Sequence, residues 1–174
     1  MLASLHGDEN VYHLLVAAHL LCVIVGFGST FVYPILGNHA SKVRGKEGAA
    51  ISDASLHAAE LVTTPVIVAA AIFGVILVAV GPYDFHQRFV MAAIGLVVLA
   101  LGFSLGIHVP NLKKMNALSN ELAAMGPPPA GATPTGPPPQ AIELERRGKD
   151  AARNGGILTM FFLALLLLMV FKPL

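Results

Sequence analysis

The sequence of 174 residues contains no tryptophan, only one cysteine and few charged side chains. Charged residues make up 12% of the chain and hydrophobic residues 55%, with a mean hydropathy of +0.72. Because a soluble globular domain carries about 25% charged residues, this composition excludes that class and indicates an integral membrane protein. The lone Cys22 can form no internal disulfide. A net charge of +1 argues against nucleic acid as a partner.

Long apolar runs are present instead. A helix needs about 20 apolar residues to cross the hydrocarbon layer of a membrane. Four stretches reach or approach this length, at about residues 12–36, 58–80, 89–109 and 155–172. Asp8 and Glu9 precede the first span where a signal peptide would carry Lys or Arg, so we expect this span to be retained. We predict an all-α fold, a four-transmembrane-helix bundle that forms one membrane domain over residues 1–174.

Basic residues are distributed unequally between the two ends of the predicted spans. One side carries Lys42, Arg44, Lys46, Lys113, Lys114, Arg146, Arg147, Lys149 and Arg153, and the other carries Arg88 and Lys172. Lys and Arg are retained on the cytoplasmic side of a membrane. We therefore expect a multi-pass protein of the bacterial cytoplasmic (inner) membrane, with both termini outside and both long connections inside.

The connection between the third and fourth spans has two parts. Residues 126–139, GPPPAGATPTGPPP, predict a Pro-rich cytoplasmic linker of extended, polyproline-like chain. Residues 140–154 predict a cytoplasmic helical extension of the fourth span, because Glu143 and Arg147, and likewise Glu145 and Lys149, are four residues apart. This extension is either a solvated helix or a docking surface for a partner.

Histidines are the polar residues that best suit a cofactor. His19 lies about two turns inside the first span, where an imidazole needs a hydrogen-bond partner or a ligand. A b-type haem takes an axial imidazole. His57 with His108 could bracket a haem near the inner boundary of the membrane, and His86 with His19 could do so near the outer boundary.

Alternatives remain for these histidines. His13 is interchangeable with His19 in the outer haem pair, or it reaches the headgroups as an interfacial residue, as His39 does at the inner boundary. Arg88 either extends to the interface, pairs with Asp84, or binds a haem propionate. Haem b is therefore a possible cofactor, and structural or interfacial roles for the histidines are the alternative.

Two shorter patterns concern a metal site and a bend in the second span. His57 and Glu60 are one helical turn apart, a spacing that can chelate a metal ion; Glu60 alternatively complements the positive N-terminal end of its helix. Pro65 predicts a bend in the second span, with Thr63 satisfying carbonyls that the bend frees.

Glycines indicate where helices approach closely. Gly102 and Gly106 form a GxxxG spacing, which permits close contact with another helix. Gly26 is seven residues after His19 and shares its face, and Gly28 follows it. We predict helix packing at all four glycines.

The first span and the start of the third also carry a family resemblance. The residues concerned are His19, Gly26, Gly28, Tyr33, Pro34 and His39, followed by His86, Gln87 and Arg88. This pattern resembles a broad group of small membrane proteins, which includes the copper-resistance protein D family, a related uncharacterised tetraspan family and the HemJ-type protoporphyrinogen oxidases. The resemblance implies a haem-linked histidine at His19 and, more loosely, a functional cation at Arg88.

Three functions are compatible with these residues. No set of nucleophile, base and orienting group can be assembled within the spans, so we expect a non-catalytic accessory or scaffold subunit of a larger redox or energy-converting membrane complex. The alternative is a haem-binding redox protein or porphyrin-oxidising enzyme that uses His19. A copper or small-solute permease ranks last, because no acid lies near the midplane of a span. The expected partners are the lipid bilayer and either other membrane subunits or a second copy.

Overall fold

A computed structural model describes residues 2–43, 45–126 and 136–172. All regular secondary structure in these ranges is helical, and it forms four long rods. The first rod consists of α1 (Leu2–Thr30) and α2 (Tyr33–Val43). The second consists of α3 (Gly45–Ala58), a π-turn (Ala59–Thr63) and α4 (Thr64–Val80). The third consists of α5 (Arg88–Phe103), a second π-turn (Ser104–His108) and α6 (Val109–Met125). The fourth rod is α7 (Pro139–Phe171).

Each rod is long and apolar enough to cross a membrane, which confirms the predicted all-α bundle of four helices. The protein is therefore a multi-pass membrane protein. Most of the predicted Pro-rich linker between the third and fourth rods, residues 127–135, lies outside the described residues.

The rods extend well beyond the thickness of a bilayer. Counted from Glu9 in the first rod, they contain 33 to 38 residues, and at 1.5 Å per residue this gives about 50–57 Å, compared with about 30 Å of hydrocarbon. The sequence predicted connections where α2, α3 and α6 continue as helix. Hydropathy locates the apolar part of a helix but gives no signal where a helix continues into water.

Two layers result, and we name them by their composition. The membrane layer consists of α1, α4, α5 and the second half of α7. The polar layer consists of α2, α3, α6 and the first half of α7. A short turn at residues 81–87 joins α4 to α5 at the far end of the membrane layer.

Antiparallel packing of α1 on α4 sets the register of the first two rods. Gly26 permits their close approach, since a Cβ atom added there would lie 2.8 Å from Cγ1 of Ile67. Near the end of the membrane layer, Gly81 lies against the ring of Tyr12. The first two rods therefore run in opposite directions, with Tyr12 level with Gly81 and Gly26 level with Ile67.

The remaining contacts join the second rod to the third and the third to the fourth, and a ring contact joins the fourth to the first. In the third rod, α5 and α6 both pack on α7, and in the polar layer α3 packs on both α2 and α6. Across the membrane layer, the rings of Phe27 and Phe162 stack with their centroids 4.0 Å apart. Few of the described side chains are buried within the chain itself, and they are Ala49, Thr63, Ala70, Val90, Ala93, Asn111 and Asn154.

Candidate functional site

His19 lies between the first two rods and is held by the backbone of α4. Its Nδ1 atom is 2.9 Å from the carbonyl oxygen of Ala70. Because a carbonyl oxygen only accepts hydrogen bonds, Nδ1 carries the hydrogen, and Nε2 of the neutral ring keeps its lone pair. Gly74 makes room for the ring, since a Cβ atom there would be 3.2 Å from Cε1 of His19.

This arrangement gives His19 the hydrogen-bond partner that its depth in the membrane requires. It is also how proteins orient a metal-ligating histidine, in which one ring nitrogen donates to a carbonyl and the other binds the metal. The chemistry of the site therefore suits either a satisfied structural histidine or an axial ligand.

The other histidines of the predicted haem pairs have separate surroundings. His86 is on the turn, its side chain 93% exposed. His57 is exposed, and its Nδ1 lies 3.1 Å from the carbonyl oxygen of Asp53 in its own helix. His108 is partly buried, and its Nδ1 has no hydrogen-bond partner among the described residues. His13 is exposed beside the ring of Tyr12. Within the described part of the chain, no shared partner joins either predicted pair.

Glu60 is bound across the rods rather than to His57. Its Oε1 atom is 2.7 Å from Nζ of Lys113 in the third rod. Among the described residues, no group of three or more His, Cys, Asp or Glu side chains is placed to hold a metal ion. The metal site at His57 and Glu60 remains a prediction that no third ligand of these residue types supports.

A hydroxyl cluster at the end of the first π-turn ties the first two rods together. Thr63 is 6% exposed, and its hydroxyl is 2.8 Å from Oγ of Ser29 and 2.5 Å from the hydroxyl of Tyr33. The sequence assigned the Thr63 hydroxyl to a freed carbonyl of its own helix, whereas the structure directs it to the first rod. Contacts between rods depend on their register, which a single sequence does not display.

In the polar layer, asparagines link neighbouring rods. Oδ1 of Asp53 accepts hydrogen bonds from Nδ2 of Asn116 at 2.6 Å and from Nδ2 of Asn120 at 3.2 Å. Sequence reasoning missed this cluster because the segment was predicted to be a connection. The four-residue spacing of the two asparagines, typical of one helix face, was the available signal.

A second asparagine contact joins the third and fourth rods. Asn111 is buried; its Nδ2 donates to the carbonyl oxygen of Arg147 at 3.0 Å, and its Oδ1 accepts from Nη1 of the same arginine at 3.1 Å. Arg147 also lies 2.8 Å from Glu143. This contact is absent from the sequence interpretation for the same reason as the first.

The four glycines predicted to pack fall into two groups. Gly26 is buried against Ile67, as described above. A Cβ atom added to Gly28, Gly102 or Gly106 would meet no atom within 4 Å among the described residues. No part of the described chain covers these three glycines.

At the turn, Asp84 is bound to His86 rather than to Arg88. Oδ1 of Asp84 accepts hydrogen bonds from the backbone N–H of His86 at 2.8 Å and from its ring Nδ1 at 2.9 Å. These bonds hold the pKa of the Asp84 carboxyl below its ordinary value, the backbone bond having the larger effect. Lys172 donates to the hydroxyl of Tyr83 and lies 4.8 Å from the centre of its ring.

Comparison of the chain with protein-family models, with curated proteins and with solved structures finds no match.

Proposed function

We propose that the protein is a non-catalytic accessory or scaffold subunit of a larger membrane complex, one that converts redox or other energy. The observation that carries this proposal is the uncovered glycine face of α5 and the second π-turn. Gly102 and Gly106 expose helix backbone to open space in the membrane layer. Gly95, seven residues before Gly102 and so on the same face of the helix, is equally open.

Such a face favours a protein helix as its neighbour. In a bilayer, helices associate by close van der Waals packing, and small residues permit the backbones to approach. The partner inferred is a transmembrane helix of another subunit, with a second copy of this chain as the alternative source.

Replacing Gly102 and Gly106 with Leu tests the proposal. A Cβ atom at either position meets no described atom within 4 Å, so we expect the variant to keep its fold while the partner helix is displaced. The measurement is native gel electrophoresis and co-purification from the native membrane, with Ala79→Leu, an exposed position on α4, as the matched control. We expect loss of the larger assembly only in the glycine variant; an unchanged assembly refutes the proposed role.

We also propose that the protein resides in the bacterial cytoplasmic membrane with both termini outside. The support is the bias of Lys and Arg toward the polar layer. In a Cys22→Ser background, single cysteines at Ser41 and Glu121 in the polar layer should resist an impermeant thiol reagent in intact cells. A cysteine at Gln87, on the turn, should be labelled. The reverse pattern rejects this orientation.

A second candidate function is b-type haem binding in a redox protein or porphyrin-oxidising enzyme related to the copper-resistance protein D and HemJ-type group. Its support is the geometry of His19, which leaves Nε2 available as an axial ligand. The test is the visible spectrum of the purified protein. We expect a Soret band that His19→Ala abolishes and His13→Ala preserves, and a protein that shows no such band after haem is supplied during expression rejects this candidate.

A further inference from the structure

Three of the four rods are interrupted, each two residues before a proline. In the first rod, the amides of Phe31 and Val32 bond to carbonyl oxygens three residues earlier, at 3.3 Å and 3.1 Å, so the chain makes a tight turn between α1 and α2. The π-turns of the second and third rods are the other two interruptions. The three interruptions end at Val32, Thr63 and His108. Each of these residues lies two positions before a proline, namely Pro34, Pro65 and Pro110.

The common physical cause is the proline ring. Proline has no N–H group, and its ring collides with the carbonyl four residues earlier, so the preceding turn departs from α-helical geometry. Tight and widened turns of this kind weaken the hydrogen-bond ladder along a helix and often mark a hinge. Each of the three rods is therefore least rigid at its interruption.

The interruptions lie at one height in the bundle. Thr63 at the end of the first π-turn bonds to Ser29 and Tyr33, which flank the turn of the first rod. Glu60 within that π-turn bonds to Lys113, five residues after the second π-turn ends. The three weak points are thus level to within about two turns of helix, or ~10 Å.

The fourth rod has a weak point at the same height. Asn111 contacts Arg147, and the third and fourth rods run in opposite directions. Gly155, eight residues after Arg147, is therefore level with Phe103, which precedes the second π-turn. Gly156 follows it, and each glycine lowers helix stability relative to Ala. The Thr159 hydroxyl also bonds to the Gly155 carbonyl, at 2.9 Å, a contact that bends helices.

We infer that this level is a joint, formed by residues 31–32, 59–63, 104–108 and 155–156, about which the polar layer tilts against the membrane layer. Thr63 is its pivot in the first two rods, because it bonds to Ser29 on one side of the break and to Tyr33 on the other. Glu60 and Lys113 hold the second and third rods together at the same height. The layers can tilt while the rods stay associated.

Pulsed electron paramagnetic resonance tests the joint in the full chain, reconstituted in lipid with Cys22→Ser. One pair of spin labels, at Gln87 and Glu121, spans the joint along the third rod. A second pair, at Ser41 and Glu121, lies within the polar layer. We expect a broad distance distribution for the first pair and a narrow one for the second. Equally narrow distributions overturn the joint, and this comparison needs no further substitution.

A stiffened variant gives the second test. It combines Pro65→Ala, Pro110→Ala, Gly155→Ala and Gly156→Ala; the added Cβ atoms at both glycines meet open space. The matched control is Pro82→Ala, which lies on the turn at the far end of the membrane layer, away from the joint. We expect the stiffened variant alone to lose the excess width of the distribution across the joint. If the width persists, the breaks do not produce the motion and the inference fails.

Discussion

Nδ1 of His19 donates a hydrogen bond to the carbonyl oxygen of Ala70, 2.9 Å away, and so joins the side chain of one rod to the backbone of the next. The Ala70 carbonyl also accepts the ordinary helical bond from Gly74. Removing the imidazole therefore leaves this oxygen with a partner, and the main loss is packing volume.

We accordingly expect His19→Leu to destabilise the apoprotein less than His19→Ala does. The alanine variant loses the packing of a half-buried ring together with the hydrogen bond, with an expected cost of about 1–3 kcal/mol. Thermal unfolding in detergent measures the difference, with His13→Ala as an exposed control that changes little. Equal losses for the Leu and Ala variants would contradict the packing role of the ring.

Gly26 and Gly28 are expected to respond oppositely to the same substitution. A Cβ atom at Gly26 would be 2.8 Å from Ile67, whereas one at Gly28 meets nothing within 4 Å. Gly26→Ala should therefore force α1 and α4 apart at a cost of about 1–3 kcal/mol, and Gly28→Ala should be neutral or slightly stabilising. Unfolding of the two variants under identical detergent conditions checks this, and a Gly26→Ala protein as stable as the parent would refute the close contact.

Individual residues illustrate which features of the fold and the site could be predicted from the sequence. Apolar runs placed all four spans, because the hydrophobic thickness of a membrane sets their length. The depth of His19 indicated that it needs a partner, but Ala70 could not be named, since the pairing depends on the register of α1 against α4. Pro65 predicted a bend, whereas the common height of the breaks depends on contacts between rods. Asp53 and Asn116 were missed because polar helices beyond the membrane give no hydropathy signal.

Asn111 is expected to be the most sensitive asparagine of the polar layer. It is buried and exchanges two hydrogen bonds with Arg147. Asn111→Ala should cost about 1–3 kcal/mol, because two hydrogen bonds made from a buried position are then lost. Asn120→Ala is the control; it is exposed and contributes the longer of the two bonds to Asp53. Chemical denaturation in mixed micelles compares them, and a larger loss for the Asn120 variant would reverse this ranking.

The order of the turn at the end of the membrane layer is expected to depend on pH through the ionisation of Asp84. The backbone N–H and ring of His86 both bond to its carboxylate and lower the pKa of Asp84 in the folded protein. A group whose folded pKa is lowered stabilises the fold above its unfolded pKa, and this contribution disappears as the pH falls through the folded pKa. The turn at residues 81–87 should therefore keep its order from neutral pH down to the acid range below the ordinary aspartate pKa, and loosen there.

The amide resonance of His86, followed by NMR against pH, measures the Asp84 transition directly, because its N–H donates to the titrating carboxylate. We expect a midpoint below that of an aspartate in an unstructured peptide. Asp84→Asn supplies the control, since an amide oxygen still accepts the bond but does not titrate, and the transition should vanish in that variant. Because the carboxylate is exposed to solvent, global unfolding should change little while the local signal moves. A midpoint equal to the peptide value would show that the bonds to His86 do not persist in solution.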